Sequence, residues 1–345
     1  MLETDRGPGR RILRVLLLGL LFLLCACLTI WSAAALHFDF PKERLRTVLS
    51  VGYLLVVAIG LWFARGKWRK VAVCVVGFIL VLSWWRTLKP SNERQWQADV
   101  AKTPWAEISG NQVTIHNMRH CDYRAEFDYT CEWRTRTLDL SKIDGVDVFI
   151  TYWGSPWIAH PIISFTVSGE DPVAMSIETR KEVGETYSAV RGFFRYYELI
   201  YLISDERDVV RLRTNYRTGE EVYLFHTKTP PELAQKVFLD YLKRANELHN
   251  KPEWYNAGTD NCTTNVAVHF RDSQQSALPK WDWRILLNGK SDEMLYQDDD
   301  LATGGLSFTA LKAQAHINDA ARAADDAPDF SARVRAGRAG FGAGQ

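Results

Sequence analysis

Three residues in the soluble part of this chain are of the types that perform nucleophilic acyl chemistry: a cysteine, a histidine and a glutamate. Cys262 lies in the run Trp254-Tyr-Asn-Ala-Gly-Thr-Asp-Asn-Cys-Thr-Thr-Asn265, directly before the apolar stretch Val266 to Phe270. That spacing predicts a thiol in the first turn of a helix, with Thr259, Asp260 and Asn261 available as caps. Free N–H groups and the dipole at a helix N-terminus favour a thiolate, the nucleophilic form of cysteine. The bland alternative is a capped structural thiol.

A thiol nucleophile needs a base. His269 follows Cys262 by two helical turns, roughly 10 Å along the axis, too far for a direct hydrogen bond. His160 is the better partner. It ends the aromatic run Tyr152-Trp-Gly-Ser-Pro-Trp-Ile-Ala-His160 and leads into an expected strand, Ile162 to Val167. A strand edge can hold an imidazole against a helix N-terminus, and a buried, hydrogen-bonded histidine is the alternative. Glu178, on the next expected strand, is the candidate to orient the imidazole. Its face depends on the intervening turn: an odd-length turn sets it with His160, an even-length turn opposite. An ion pair between Glu178 and Arg180 is the competing reading.

Arg207, Arg211, Arg213 and Arg217 form a basic cluster. With an expected strand over Val209 to Thr214, Arg211 and Arg213 share one face, which suits lipid phosphates; solvated or paired charge is the alternative. Cys121 and Cys131 have the spacing of a hairpin disulfide in an oxidising compartment. His116 and His120 stand near Cys121, but neither a metal site nor a cofactor is expected.

The elements that must position these residues are α+β. Short runs rich in β-branched and aromatic residues predict strands over Val113 to Asn117, Arg134 to Leu140, Val146 to Tyr152, Ile162 to Val167, Ala174 to Glu178, Glu198 to Ser204, Val209 to Thr214 and Val222 to His226. Ser168-Gly-Glu-Asp-Pro172 reads as a hairpin turn. Pro230 to Asn250 is a helix, opened by two prolines and carrying an apolar face. Beyond about Asp326 the small-residue tail reads as flexible. Apolar residues make up 47% of the 345 and aromatics 12%, enough for a sizeable core. Lysine plus arginine (42) nearly balances aspartate plus glutamate (41), which gives no signal for a nucleic-acid partner.

The chain opens with three uncharged apolar runs, about 15–36, 47–64 and 71–85. The first is long enough for roughly 30 Å of hydrocarbon. Lys70, Arg86, Trp84 and Trp85 bound the third, as snorkelling and interfacial residues do. Basic residues concentrate in the head (Arg6, Arg10, Arg11, Arg14) and in Arg65-Gly-Lys-Trp-Arg-Lys70, which favours the cytoplasm for both. Three spans then put everything after Arg86 outside, in a bacterial periplasm or its equivalent. Without the third span the soluble domain would be cytoplasmic.

Several blocks resemble the Lnb N-terminal periplasmic domain family: Trp153-Gly-Ser-Pro, Ala159-His160, the stretch from Ser176-Ile-Glu-Thr-Arg180 to Ser188, Tyr197-Glu-Leu-Ile-Tyr201, Asp205-Glu-Arg-Asp208, Arg211-Leu-Arg-Thr-Asn-Tyr216, Pro252-Glu-Trp-Tyr-Asn256, Asn261-Cys-Thr-Thr-Asn265 and Trp281-Asp-Trp-Arg-Ile-Leu-Leu-Asn-Gly289. The resemblance spans roughly residues 89–330. The family is named for a bacterial lipoprotein intramolecular acyltransferase, which moves an acyl chain within a lipoprotein's lipidated N-terminal cysteine. It implies a circularly permuted papain-like thiol fold, in which a strand histidine precedes the helix cysteine; His160 before Cys262 fits that order. The three-span head differs from the founding enzyme.

These readings give a membrane domain (1–88), an Lnb-like periplasmic domain (89–325) and a flexible tail (326–345). The chain is expected to be multi-pass in the bacterial inner membrane. The implied activity is that of a thiol acyltransferase or acyl hydrolase acting on a membrane lipid or lipoprotein. Cys262, His160 and Glu178 would be catalytic, and Arg211, Arg213 and Trp153 would bind substrate. A cell-envelope thiol peptidase and a non-catalytic scaffold domain are the alternatives.

Overall fold

The computed structural model describes residues 8–259, 262–274, 283–286 and 288–342. The chain divides into two compact units, Met1–Pro90 with Val190–Tyr196, and Ser91–Ala189 with Tyr197–Gln345.

The first unit contains α1 (Pro8–Asp39), α2 (Glu43–Phe63) and α3 (Lys67–Thr87). Among the described residues, three helices are long and apolar enough to cross a membrane: Ile12–Asp39, Glu43–Phe63 and Lys67–Thr87. The helices outrun the uncharged stretches that announce them because the flanking Glu, Lys and Arg residues are good helix formers. Buried Cys25, Val57 and Cys74 pack together where the helices meet. The segment Val190–Tyr196 joins this unit: the Arg195 guanidinium lies 3.9 Å over the Trp85 ring and donates to the Trp85 and Leu88 carbonyls. Arg6 of the basic head lies outside the described residues.

In the second unit, eight strands among the described residues form one sheet: β1 (Trp105–Ser109), β2 (Gln112–Ala125), β3 (Asp128–Asp139), β4 (Ile143–Trp153), β5 (Ser155–Val167), β6 (Glu170–Arg180), β7 (Glu198–Ser204) and β8 (Glu220–His226). Their order is β1-β2-β7-β6-β5-β4-β8, with β3 paired to β2. β2 and β7 run parallel; the other pairs are antiparallel. β5 is therefore interior, flanked by β4 and β6.

Helices cover both faces. α5 (Pro231–Asn250) begins with Pro231 in its first turn and buries Ala234, Val237, Phe238, Tyr241, Leu242, Ala245 and Leu248, the three-and-four spacing of one helix face. Phe238 meets Phe165 of β5 edge to face at 5.0 Å. On the other face, Phe149, Ile162, Val222 and Leu224 pack with Val209, Val210, Ile317, Ala321, Phe330 and Val334. The last six come from α4 (Glu206–Arg211), the segment leading to α10 (Asn318–Ala324), α10 itself and α11 (Phe330–Arg335). Between α5 and α10 lie α6 (Cys262–Gln274), α7 (Trp283–Leu286), α8 (Ser291–Gln297) and α9 (Phe308–Ala315).

Two sequence expectations are corrected. The strand expected over Val209 to Thr214 is helical: α4 continues into a π-helical turn, Leu212–Tyr216. Asp205 caps it by accepting the Asp208 N–H, and this local cap outweighs the β propensity of Val209 and Val210. The tail expected to be flexible beyond Asp326 instead forms α11, whose Phe330 and Val334 are fully buried. Its anchor is electrostatic as well. Arg335 donates to Asp147 Oδ2 (2.9 and 2.7 Å) and to both Glu206 oxygens, and the two carboxylates are inaccessible to solvent.

Candidate active site

β5 brings His160 to the site, and its neighbour supplies the partner. The β5–β6 hairpin turns through Ser168-Gly169, with Val167 opposite Glu170 and Gly169 at φ 75°. A two-residue turn alone would set Glu178 on the face opposite His160. The next pair, however, is Phe165 with Val173, so β6 carries one extra residue at Asp171-Pro172. Proline has no N–H to give to a ladder and suits such a bulge. The bulge reverses the register, Ile162 then faces Ser176, and Glu178 comes across from His160.

The contacts follow from that register. His160 is buried, and its Nε2 lies 2.8 Å from Ser176 Oγ and 3.1 Å from Glu178 Oε1. The Ser176 hydroxyl donates its proton to Glu178 Oε1 at 2.8 Å. The Ser176 oxygen must therefore accept, which puts a hydrogen on Nε2 and leaves Nδ1 free of this pair of contacts. Burial works against the imidazolium, but the Glu178 carboxylate outweighs it. With Arg213 opposing, and the charge and hydrogen bond of Cys262 adding to Glu178, His160 is raised to about 9.

Glu178 is the centre of a longer ionic chain. Arg213 donates to Glu178 Oε1 (2.9 Å) and to Glu220 Oε2 (3.2 Å), and Glu220 also receives Arg217 (3.3 Å). Burial alone would raise the Glu178 carboxyl; His160 and Arg213 instead hold it well below the usual carboxylate range. Arg180 does not pair with Glu178. It stacks over Trp96 at 4.2 Å and donates to the Val100 and Ala101 carbonyls and to Asn92.

Cys262 opens α6 and is buried. The turn before it is organised by Asn256, whose Oδ1 accepts the N–H groups of Gly258 (2.8 Å) and Thr259 (3.1 Å). The cap candidates Asp260 and Asn261 lie outside the described residues. α6 packs on α5 and touches β5 and β6, the strands that carry His160 and Glu178. The Tyr255 phenol is held far above its ordinary range by burial, then by the nearby Cys262 and Tyr187. His269 is engaged elsewhere: Nε2 meets the Tyr201 hydroxyl (2.8 Å) and Nδ1 meets Asp240 (2.6 Å).

Arg211 and Arg213 do not share a strand face, because the segment is helical there. Both are buried and ion-paired, Arg211 with Asp122 at 3.2 Å and Arg213 with Glu178 and Glu220. Trp153 is half-buried at the end of β4, paired with Ser155 across the Gly154 turn. Cys121 lies directly opposite Cys131 in the β2–β3 ladder, and the two are joined by a disulfide.

Two contributors were not read from the sequence. Ser176 was seen only as a strand residue. Asn288 follows the described turn of α7, in the Trp281 to Gly289 block, of which Trp281, Asp282 and Leu287 lie outside the described residues. Its Oδ1 accepts the Ala159 N–H (2.8 Å), and its Nδ2 donates to Thr263 Oγ1 (2.9 Å). Gly289 makes this approach possible: a Cβ there would sit 2.4 Å from the Pro156 carbonyl oxygen. An Asn-Gly pair in a block of family resemblance was the available signal.

No curated protein and no solved structure matches the chain. Residues 129–289 match the family model of the Lnb N-terminal periplasmic domain, an interval that runs from β3 to the Asn288-Gly289 turn and contains His160, Ser176, Glu178, Cys262 and Asn288. Over these residues the chain is similar to the Lnb N-terminal periplasmic domain, and, among the described residues, three helices long and apolar enough to cross a membrane precede them.

Proposed function

We propose that this protein is a multi-pass inner-membrane thiol enzyme that transfers or hydrolyses an acyl group of a lipid or lipoprotein in the periplasm, using Cys262 as nucleophile. The observation that carries the reading is the buried imidazole of His160, bound through Nε2 to Glu178 and Ser176 on strands that α6, the helix opened by Cys262, packs against. A thiol at a helix start, a histidine against it and a carboxylate behind the histidine form the nucleophile–base–orienter arrangement of covalent acyl catalysis. The chain order, strand histidine before helix cysteine, supports a permuted papain-like arrangement.

In this reading the thiol proton rests on His160, whose raised proton affinity favours a thiolate–imidazolium pair, and the Cys262 sulfur attacks an ester carbonyl carbon. The carbon–oxygen bond to the leaving alcohol breaks as the imidazolium returns that proton to the departing oxygen. The acyl-thioester then gives its acyl group to an amine, a hydroxyl or water, with His160 taking the proton of the acceptor. Glu178 stabilises the imidazolium between the steps, and Arg213, itself paired, is a positioning residue. Trp157 and Ile158, shortly before His160 on β5, are 49% and 47% exposed, and this apolar surface supports an acyl rather than a peptidyl substrate.

The test uses a thiol-selective alkylating probe on intact cells, with lipid and lipoprotein acyl profiles read by mass spectrometry. Cys262→Ser should fold and lose the acyl product, and His160→Ala should slow alkylation of Cys262 and acyl transfer together. A folded Cys262→Ser variant with every acyl species unchanged would favour the scaffold reading.

A further inference from the structure

We infer that Asn288 is a further catalytic residue of this site, its side-chain amide donating to the oxyanion formed when Cys262 attacks an acyl carbonyl. The inference rests on the thiol-acyl reading above and on the geometry of three contacts.

The orientation of the amide is decided by its partners. Ala159 N–H can only donate, so the Asn288 atom 2.8 Å from it is the oxygen. The NH2 group therefore points the other way. One N–H is used by Thr263 Oγ1 at 2.9 Å, and the same nitrogen lies 3.9 Å from Cys262 Sγ. An amide nitrogen has two hydrogens, so a second donor is directed at the space beside the sulfur.

That space is where charge develops during the attack. When the sulfur bonds to a carbonyl carbon, the π electrons of the carbonyl move onto its oxygen, which remains one bond beyond the carbon joined to sulfur. A donor that stands too far from the sulfur for a strong hydrogen bond in the free enzyme is well placed for that oxygen. Oxyanion donors act this way, aimed at the atom that becomes charged rather than at the ground state. The amide is also preorganised. Ala159 precedes His160 on β5 and Thr263 follows Cys262 on α6, so Asn288 is tied to the strand of the base and to the helix of the nucleophile at once. The tight approach of Gly289 to the Pro156–Ile158 backbone holds the turn in place.

The experiment compares two reactions of the same sulfur in the full-length chain in detergent micelles. Acylation by a short-chain p-nitrophenyl ester passes through an oxyanion; alkylation by iodoacetamide, a displacement at saturated carbon, does not. Asn288→Ala removes all three contacts. Asn288→Asp keeps an oxygen for the Ala159 N–H and removes the donor. Both variants should lower the ratio of acylation to alkylation rate by about 100-fold. An unchanged ratio overturns the proposal, including the case in which both rates fall in parallel, which assigns Asn288 to packing alone. A wild-type chain that is alkylated at Cys262 but acylated by no ester overturns the thiol-acyl reading, and the assignment of Asn288 with it.

Discussion

His160 and Glu178 face each other across antiparallel strands with Nε2 and Oε1 3.1 Å apart, and one extra residue in β6 is the reason. Removing the carboxylate should therefore reverse the proton affinity of the imidazole. With Glu178→Gln, burial is no longer outweighed, and the His160 titration followed by NMR should fall from about 9 to its ordinary 6.5 or lower. The sign for stability follows. A histidine whose folded value is raised contributes stability that is fully present below about 6.5 and lost as pH rises through about 9. Thermal melts of the wild type should decline across that interval, and those of Glu178→Gln should not. A wild-type His160 midpoint near the ordinary value would reject the ion pair.

The Arg335 anchor makes the C-terminal segment part of the folded domain. Arg335→Ala leaves Asp147 and Glu206 buried without their guanidinium and should cost about 3–5 kcal/mol. Arg335→Lys should recover only part of this, because an ammonium cannot span two carboxylates as a guanidinium fork does. Urea denaturation of both variants gives the comparison. A loss under about 1 kcal/mol for Arg335→Ala would return the segment to the status of a loose tail.

The Cys121–Cys131 crosslink joins directly opposed residues of a hairpin. Replacing both by serine should lower stability by about 2–3 kcal/mol, the value for a closed loop of this length. The wild type should show a shift in mobility on reduction that the double variant lacks. Native protein in which both thiols alkylate freely without reductant would contradict the crosslink and the oxidising compartment together.

Topology is a separate expectation, drawn from the basic Arg65 to Lys70 loop and the three apolar helices. A reporter active only outside the cytoplasm should work when fused after Lys89 and stay silent when fused after Lys67. The reverse pattern would place the domain in the cytoplasm.

What the sequence determined by itself is what a few neighbouring residues can encode. The apolar face and proline start of α5 announce Pro231–Asn250, and the β-branched run Glu198 to Ser204 is β7 to the residue. The helix beginning at Cys262 and the hairpin spacing of the two bonded cysteines are of the same kind. Periodicity, caps and loop closure act over one or two turns of chain, so they survive reading in one dimension. The helix over Glu206–Tyr216 lay beyond that limit: Val209-Val210 read as strand, and the Asp205 cap appeared only in the structure. Tertiary structure alone decided the rest. The face of Glu178 depended on a bulge six residues before it, and the partners of Arg213, itself in a helical turn, came from two strands, β6 and β8. Asn288 meets Ala159 across 129 positions, and Arg335 meets Asp147 across 188. Such contacts form because buried charges and amides must find partners in the folded interior, and no local pattern says which distant residue will supply them.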